Sequence, residues 1–191
     1  VLLIYPPFSA LNIVNMGIPA LSAYLTASGV DVTVFDANMA FSKWLCSRER
    51  LDAGLDAAER RIYELNTQNE LIVEEVFEFF RLGKTVLKSQ AAYETLKSVG
   101  TMKLTQSSPN SRKLIQLAFD LSTWQYYPEA LTVSDDFFIE FSMPDYDEYS
   151  TDKLLACSGK SRMLADFWES VLPPLFEGSG YEIVGISVCF T

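Results

Sequence analysis

The first 38 residues contain the pattern that most constrains the fold: an apolar strand, a helix and a second strand. Residues 1–5 read VLLIY, a short apolar run typical of a strand buried on both faces of a parallel sheet. Residues 18–28 carry apolar side chains at helical spacing and stop before Gly29, a residue type that favours helix termination. Residues 30–35 read VDVTVF and end before Asp36. This order predicts a right-handed β-α-β unit.

The chain returns to strand character only at its other end, where residues 181–190 read YEIVGISVCF and predict another central strand. We therefore predict an α/β fold, a Rossmann-like (flavodoxin-like) partial parallel sheet formed by residues 1–38 and 178–191. Residues 39–177 are predicted to be a mostly helical insertion. Because a sheet of three strands is small and no helix follows the last strand, we expect the sequence to be cut from a longer protein.

Several stretches of the insertion have helical patterns. Residues 70–80, ELIVEEVFEFF, predict a helix whose aromatic side chains either join the core of the insertion or form an exposed patch for a partner domain. Two further helices are predicted over about 84–99 and 111–126, and another over 161–176 that ends at its double proline. Residues 128–150 are ambiguous, because FFIEFSM fits either a strand or a turn of helix.

Composition excludes several classes of function. The chain has no histidine, so it lacks any histidine-dependent nucleophile, base or zinc ligand. The net charge of −10 argues against binding to nucleic acid or to anionic lipid. No apolar run reaches the roughly 18–20 residues that cross a membrane. Cys46, Cys157 and Cys189 are too scattered for a disulfide framework or a metal site, which indicates a reducing, cytoplasmic location.

Two segments together resemble a known domain. The first is LLIYPPF followed by MGIPALSAYLTASGVDVTVFDAN, and the second is IVGISVCFT. They are similar to the start and to the third strand of the cobalamin-binding domain at the N-terminus of many radical S-adenosylmethionine enzymes. The similar features are a strand ending in two prolines, a proline-led helix, a glycine, a strand ending in aspartate, and a Gly-Ile-Ser sequence. The resemblance covers the two ends of the chain and leaves the helical middle unassigned.

The resemblance implies a cofactor and a larger enzyme. Cobalamin would bind without a histidine ligand, because the D-x-H-x-x-G motif of cobalt-ligating domains is absent. Alternatively, the domain would have lost cobalamin and would only shape the substrate cavity above the radical domain. The C-x-x-x-C-x-x-C motif of the radical domain is also absent. The 4Fe-4S cluster and S-adenosylmethionine are therefore expected only in a C-terminal part beyond Thr191. The segment itself would be non-catalytic, and its partners would be cobalamin and the radical domain of the same chain, in an oxidoreductase or methyltransferase type of enzyme.

The expected ligand site is the carboxyl edge of the sheet, because open α/β sheets bind ligands there. The first loop would offer polar groups to the corrin, and the Gly-Ile-Ser serine would border the slot for its nucleotide tail. The predicted cofactor-binding residues are Pro7, Ser9, Asn12, Asn15, Gly17, Asp36 and Ser187. Each also has a purely structural interpretation: the proline can end a strand, the asparagines can form turns, and the aspartate can cap a helix.

Two other functions remain open at this stage. The chain could be a scaffold or interaction domain without a cofactor, in which the helical insertion contacts a partner or forms a homo-oligomer. A flavodoxin-like nucleotide binder is disfavoured because no glycine-rich or Ser/Thr-rich phosphate loop follows the first strand. The acidic groups Asp135-Asp136 and Asp145/Asp147/Glu148 lack a calcium-loop pattern and are interpreted as solvated loops.

Overall fold

A parallel β-α-β unit opens the fold, as the sequence predicts. A computed structural model describes residues 1–7, 16–99, 109–134, 139–144, 152 and 159–186. Strand β1 (Leu2–Tyr5) leads to helix α1 (Gly17–Ala27) and then to strand β2 (Thr33–Asp36), which pairs with β1 in parallel. Gly29 follows α1 with a φ of 81°, a left-handed conformation that glycine adopts without a steric cost.

The third strand of this sheet, β5 (Val184–Ile186), pairs in parallel with the other side of β1. The strand order is β2-β1-β5. Our prediction made this last strand central, but within the described residues it is an edge strand. The side chains of Val184 and Ile186 are 43% and 62% exposed. The sheet therefore buries Leu2, Leu3 and Ile4 of β1 and leaves β5 largely uncovered.

Five helices, a short hairpin and a 3₁₀ turn lie between β2 and β5 in the described chain. The helices are α2 (Ala37–Leu45), α3 (Arg48–Thr67), α4 (Val73–Val99), α5 (Pro109–Thr123) and α6 (Arg162–Phe176). The 3₁₀ turn (Trp124–Tyr126) follows α5 directly. Helices α3, α4 and α5 contact one another pairwise.

Two helices run further than the sequence predicts. Helix α4 is continuous where we predicted separate segments, because Gly83 is tolerated between Leu82 and Val86, which are both buried. Helix α6 continues through Pro173 and Pro174 to Phe176 instead of ending at them. Both prolines lie on the exposed side of α6, where the carbonyls that lose their N–H partners can reach water.

The ambiguous region contains an antiparallel hairpin. Strands β3 (Ala130–Val133) and β4 (Ile139–Ser142) pair with Leu131 opposite Phe141. The strand alternative for FFIEFSM is thus confirmed at residues 139–142, whereas β3 was not predicted. Leu131 and Ile139 are buried in the main core, so tertiary packing stabilises a hairpin that local propensity does not specify.

One hydrophobic core joins the sheet to the helices. Leu2 and Ile4 of β1 share a cluster of buried side chains with Phe41 of α2, Phe119 of α5 and Phe167 of α6. The ring of Phe167 meets that of Phe41 edge to face, with centroids 5.1 Å apart, a favoured aromatic geometry. The helical insertion therefore covers one face of the sheet as part of the same core.

On the outer face of α4 the aromatic side chains are exposed, so of our two alternatives the buried one is wrong for Phe77 and Phe80. Phe77 and Phe80 are 71% and 68% exposed, and Val73 is 67% exposed. Only Leu71 and Phe79 of this stretch pack against a second cluster around Leu82. None of the described helices combines the length and apolar character that crossing a bilayer requires.

Candidate functional site

The three parallel strands end at the same edge of the sheet. Tyr5 at the end of β1 is the register partner of Asp36 at the end of β2, and Ile4 is the partner of Ile186 in β5. Strand β1 lies between the other two strands, with β2 on one side and β5 on the other. In open α/β sheets, ligands bind beyond the carboxyl ends of the strands.

Asp36, one of the predicted cofactor-binding residues, caps a helix. Its Oδ1 atom accepts a hydrogen bond of 2.9 Å from the backbone N–H of Met39, in the first turn of α2. Oxygen acceptors at this position satisfy a donor that the helix itself leaves unpaired. The carboxylate therefore fixes where α2 begins at the carboxyl edge, in line with the structural interpretation of this residue.

Pro7 and Gly17 lie at the two ends of the loop that follows β1. Pro7 is half-buried two residues beyond the strand, and Gly17 is the exposed first residue of α1. Met16, which precedes α1, provides no side-chain hydrogen bond to the helix. The loop thus begins at the carboxyl edge and ends at a helix N-terminus, which carries a partial positive charge.

The remaining predicted site residues, Ser9, Asn12, Asn15 and Ser187, lie outside the described residues. The acidic groups at 135–136 and 145–148 also lie outside them, as do Cys157 and Cys189. Of the seven predicted residues, the structure thus places three at the carboxyl edge.

The described side chains leave this edge open. Met16 is 70% exposed and Ile186 is 62% exposed, although both are large and apolar. Asp36 is exposed as well. A corrin is a broad and largely apolar disc, so uncovered apolar side chains beside a helix N-terminus are compatible with its size and chemistry. The edge has no histidine, because the chain has none.

A polar cluster that the sequence did not predict links α3, the 3₁₀ turn and α6. Arg50 donates to the hydroxyl of Tyr126 at 2.8 Å, and this hydroxyl donates to Asp166 Oδ2 at 2.9 Å. Arg50 also lies 4.5 Å from the ring centroid of Trp44. Burial, and then the hydrogen bond to Asp166, raise the pKa of the Tyr126 phenol. The phenol therefore stays protonated at neutral pH and serves as a hydrogen-bonded link between α3 and α6.

Glu129 forms a second cluster of this kind at the start of α6. Its carboxylate accepts from the Ser161 hydroxyl at 2.6 Å and from the Arg162 backbone N–H at 2.8 Å. Glu129 is 6% exposed, and a buried carboxylate is stable only when its oxygens are paired. No local sequence signal reveals this contact, because residue 129 is more than thirty positions from its partners.

Reactive and metal-binding groups are not assembled in the described part of the chain. Burial raises the pKa of the Cys46 thiol from 9.0 to about 12, so this cysteine is not a nucleophile at neutral pH. Among the described residues, no group of three cysteine or acidic side chains is arranged to hold a metal ion.

Comparisons with protein-family models, with curated proteins and with solved structures find no match to this chain.

Proposed function

We propose that this chain is a cobalamin-binding-like domain of a radical S-adenosylmethionine enzyme, and that the corrin lies across the carboxyl edge between β1 and β5. The observation that carries the proposal is the parallel order β2-β1-β5. It matches the start of the flavodoxin-like order 2-1-3, whose switch point lies between the first and third strands. The resemblance of both chain ends to such domains supports the same site.

The proposed roles follow from the position of each residue. Pro7 and Gly17 shape the ends of the loop, and Asp36 holds the start of α2 at the rim. Ser9, Asn12 and Asn15 are proposed to offer polar groups to the corrin amides, and Ser187 is proposed to border the nucleotide slot. When bound, methylcobalamin would supply a methyl group to the radical domain, which would carry the 4Fe-4S cluster and S-adenosylmethionine. The proposed location is the cytoplasm.

Titration with hydroxocobalamin, followed by the visible spectrum and by co-elution in gel filtration, tests this proposal. Gly17→Phe places a large ring at the exposed start of α1 and should abolish binding. Ser28→Phe is the matched control, because Ser28 is exposed just beyond the other end of α1, and it should bind like the unmodified protein. Absence of binding at high micromolar cobalamin, by the chain or by the intact protein, would refute the cofactor and leave the fold unaffected.

A second candidate function is a homo-oligomeric scaffold, and the exposed face of α4 favours it. Val73, Phe77, Phe80 and Leu87 lie on this face and are each at least two-thirds exposed. Their spacings of four, three and seven residues match the a and d positions of a coiled coil. We define these four residues as the α4 seam. A solvated helix face is ordinarily polar, so the seam indicates a packing partner.

The charge pattern of α4 favours a second copy of the chain as that partner. Glu74 and Glu75 lie in the first turn, at one end of the α4 seam, whereas Lys84 and Lys88 lie at the other end of the seam. An antiparallel pair of α4 helices, related by a two-fold axis through the middle of the seam, would place the glutamates of each copy near the lysines of the other. The same patch then serves both copies.

Light scattering coupled to gel filtration tests the α4 seam. The unmodified protein should elute as a dimer, and the double variant Phe77→Glu/Phe80→Glu should elute as a monomer. Tyr63→Glu is the control, because Tyr63 is 70% exposed on α3, outside the seam, and its variant should remain dimeric. A monomeric unmodified protein at high micromolar concentration would exclude the scaffold interpretation.

A further inference from the structure

An open cleft of about 750 Å³ lies between α4 and α5, away from the carboxyl edge. Residues 81–92 of α4 form one wall, and residues 112–120 of α5 form the other. Val133 of β3 contributes to the lining as well. The volume falls within the range of about 300–1,000 Å³ that is typical of small-molecule sites.

The cleft concentrates positive charge in an acidic chain. Of the 15 Lys and Arg residues in the sequence, five line this cleft. They are Arg81, Lys84, Lys88, Arg112 and Lys113. Among the described residues that line the cleft, Asp120 is the one carboxylate. The chain as a whole has a net charge of −10, so carboxylates outnumber the cations that could pair with them. Composition alone therefore does not explain why five cations gather around one cleft with a single carboxylate.

Four of the five cations, Arg81, Lys84, Lys88 and Lys113, have no ion pair among the described residues. The guanidinium of Arg81 lies 4.9 Å from the ring centroid of Trp124, a cation–π contact that leaves its charge intact. Among the described residues, Lys84, Lys88 and Lys113 form no ion pair within 4 Å. Asp120 balances only part of this positive charge, and the remaining like charges repel one another unless a further anion joins them.

The orientation of α5 adds to the positive potential. Its first turn contains no acidic residue, and Arg112 and Lys113 lie close to this N-terminal end. Helix N-termini carry a partial positive charge and ordinarily attract acidic side chains. Placing cations there costs stability, and departures from local preference of this kind are expected at functional sites.

The floor of the cleft is rigid and partly apolar. The Gln116 side chain donates to Asp120 Oδ1 at 2.6 Å and accepts from the Val133 backbone N–H at 2.6 Å, which ties α5 to β3. Burial raises the pKa of the Asp120 carboxyl, whereas the hydrogen bond from Gln116 and the charges of Arg81 and Lys88 oppose that rise. Leu114 and Leu117 line the same cavity.

We infer that the α4–α5 cleft binds a small phosphate-bearing molecule with an apolar body. The cations of both walls hold the phosphate groups, and Arg81 contributes the planar guanidinium that pairs well with phosphate oxygens. The apolar body packs against Leu114 and Leu117. This site is separate from the carboxyl edge, so it does not depend on whether cobalamin binds there.

Calorimetric titration with three probes tests the ligand class. ATP carries phosphates and an aromatic body, pyrophosphate carries phosphates alone, and adenosine carries the body alone. We expect ATP to bind saturably, pyrophosphate to bind about tenfold more weakly, and adenosine to show no binding at millimolar concentration. Absence of saturable ATP binding, or equal affinity for adenosine, would overturn the inference.

Variants locate the binding in the cleft. Lys88→Gln/Lys113→Gln removes one cation from each wall and should weaken ATP binding at least tenfold. The control Lys43→Gln/Lys160→Gln removes the same charge at exposed positions elsewhere and should change the affinity less than twofold. Asp120→Asn removes the carboxylate and keeps an oxygen for Gln116, so it should strengthen ATP binding several-fold. Equal losses in the two double variants, or weaker binding by Asp120→Asn, would overturn the assignment.

Discussion

Replacing Gly54 with alanine tests the close approach of α3 and α5. Gly54 is buried in α3, and a Cβ atom added there would lie 2.7 Å from the carbonyl carbon of Leu121 and 2.8 Å from the Cα atom of Ser122. It would lie closer still to the carbonyl oxygen of Leu121. All three atoms belong to the backbone of α5, so a rotamer change cannot relieve the overlap. The two helices would have to move apart.

The expected loss of stability follows from two opposing effects. Overpacking a core costs about 1–3 kcal/mol. Because backbone atoms cannot move aside as side chains do, we expect the added Cβ atom of Gly54→Ala to cost about 3 kcal/mol, the upper end of this range. Alanine is preferred over glycine inside a helix by about 1 kcal/mol, which offsets part of that loss. We therefore expect Gly54→Ala to lower the free energy of unfolding by about 2 kcal/mol. For a domain of this size the melting temperature should fall by about 4–8 °C.

Gly83→Ala provides the matched control. Gly83 lies inside α4, where an added Cβ atom would meet no other atom within 4 Å. Only the helix preference then acts, and stability should rise by about 0.5–1 kcal/mol. Urea unfolding followed by far-UV circular dichroism measures both variants. If Gly54→Ala were as stable as Gly83→Ala, the close approach of α3 to α5 would be refuted.

Three further predictions concern capping and burial. Asp36→Ala should lower stability by about 1 kcal/mol in urea unfolding, whereas Asp36→Asn keeps an acceptor for α2 and should lose far less; equal losses would contradict the cap. Glu129→Ala should cost about 2 kcal/mol in the same assay, because it leaves buried donors at the start of α6 unpaired, and unchanged stability would exclude this role. The Cys46 thiol has a pKa of about 12 in the folded protein, against 9.0 ordinarily. Above about pH 9 the thiol therefore loses its proton in the unfolded chain but keeps it in the folded protein, so stability should fall as the pH rises from about 9 toward 12. Cys46→Ala should reduce the decrease of unfolding free energy with pH. If the decrease were the same in this variant, other groups would be its cause.

Local chemistry explains the parts of the fold that the sequence predicts correctly. The run of residues 1–5 is apolar throughout because Leu2, Leu3 and Ile4 are at most 5% exposed. Gly29 ends α1 because its φ is positive, and Asp36 starts α2 because its side chain accepts from the backbone. Each of these features depends on contacts within a few residues, so a single stretch of sequence carries the signal.

Contacts between distant residues explain what the sequence does not predict. Strand β3 exists because Leu131 enters the core and Gln116 holds its backbone from α5. The exposed aromatic side chains of α4 have the same local pattern as buried ones, so periodicity alone cannot tell which helix face meets the core. The cations of the α4–α5 cleft come from two helices and converge only after these pack.

For the candidate site, too, the sequence predicts some features that the structure shows and others that stay predictions. The β-α-β pattern predicts the carboxyl edge, and the structure places Pro7, Gly17 and Asp36 there. The role of Asp36 as a cap was one of its two interpretations, and the structure favours it. Ser9, Asn12, Asn15 and Ser187 stay predictions.

The pairing of β1 with β5 has a consequence for the order of folding. Leu2 and Val184 are register partners that lie at opposite ends of the sequence, and pairing across so long a loop is slow to form. Helices α3, α4 and α5 instead contact near neighbours in the chain. We expect these helices to assemble first and to cover Leu2 and Ile4 before β5 arrives. The third strand would then add to an existing template as the last step, so β5 should be among the first parts of the sheet to exchange its amide hydrogens with solvent.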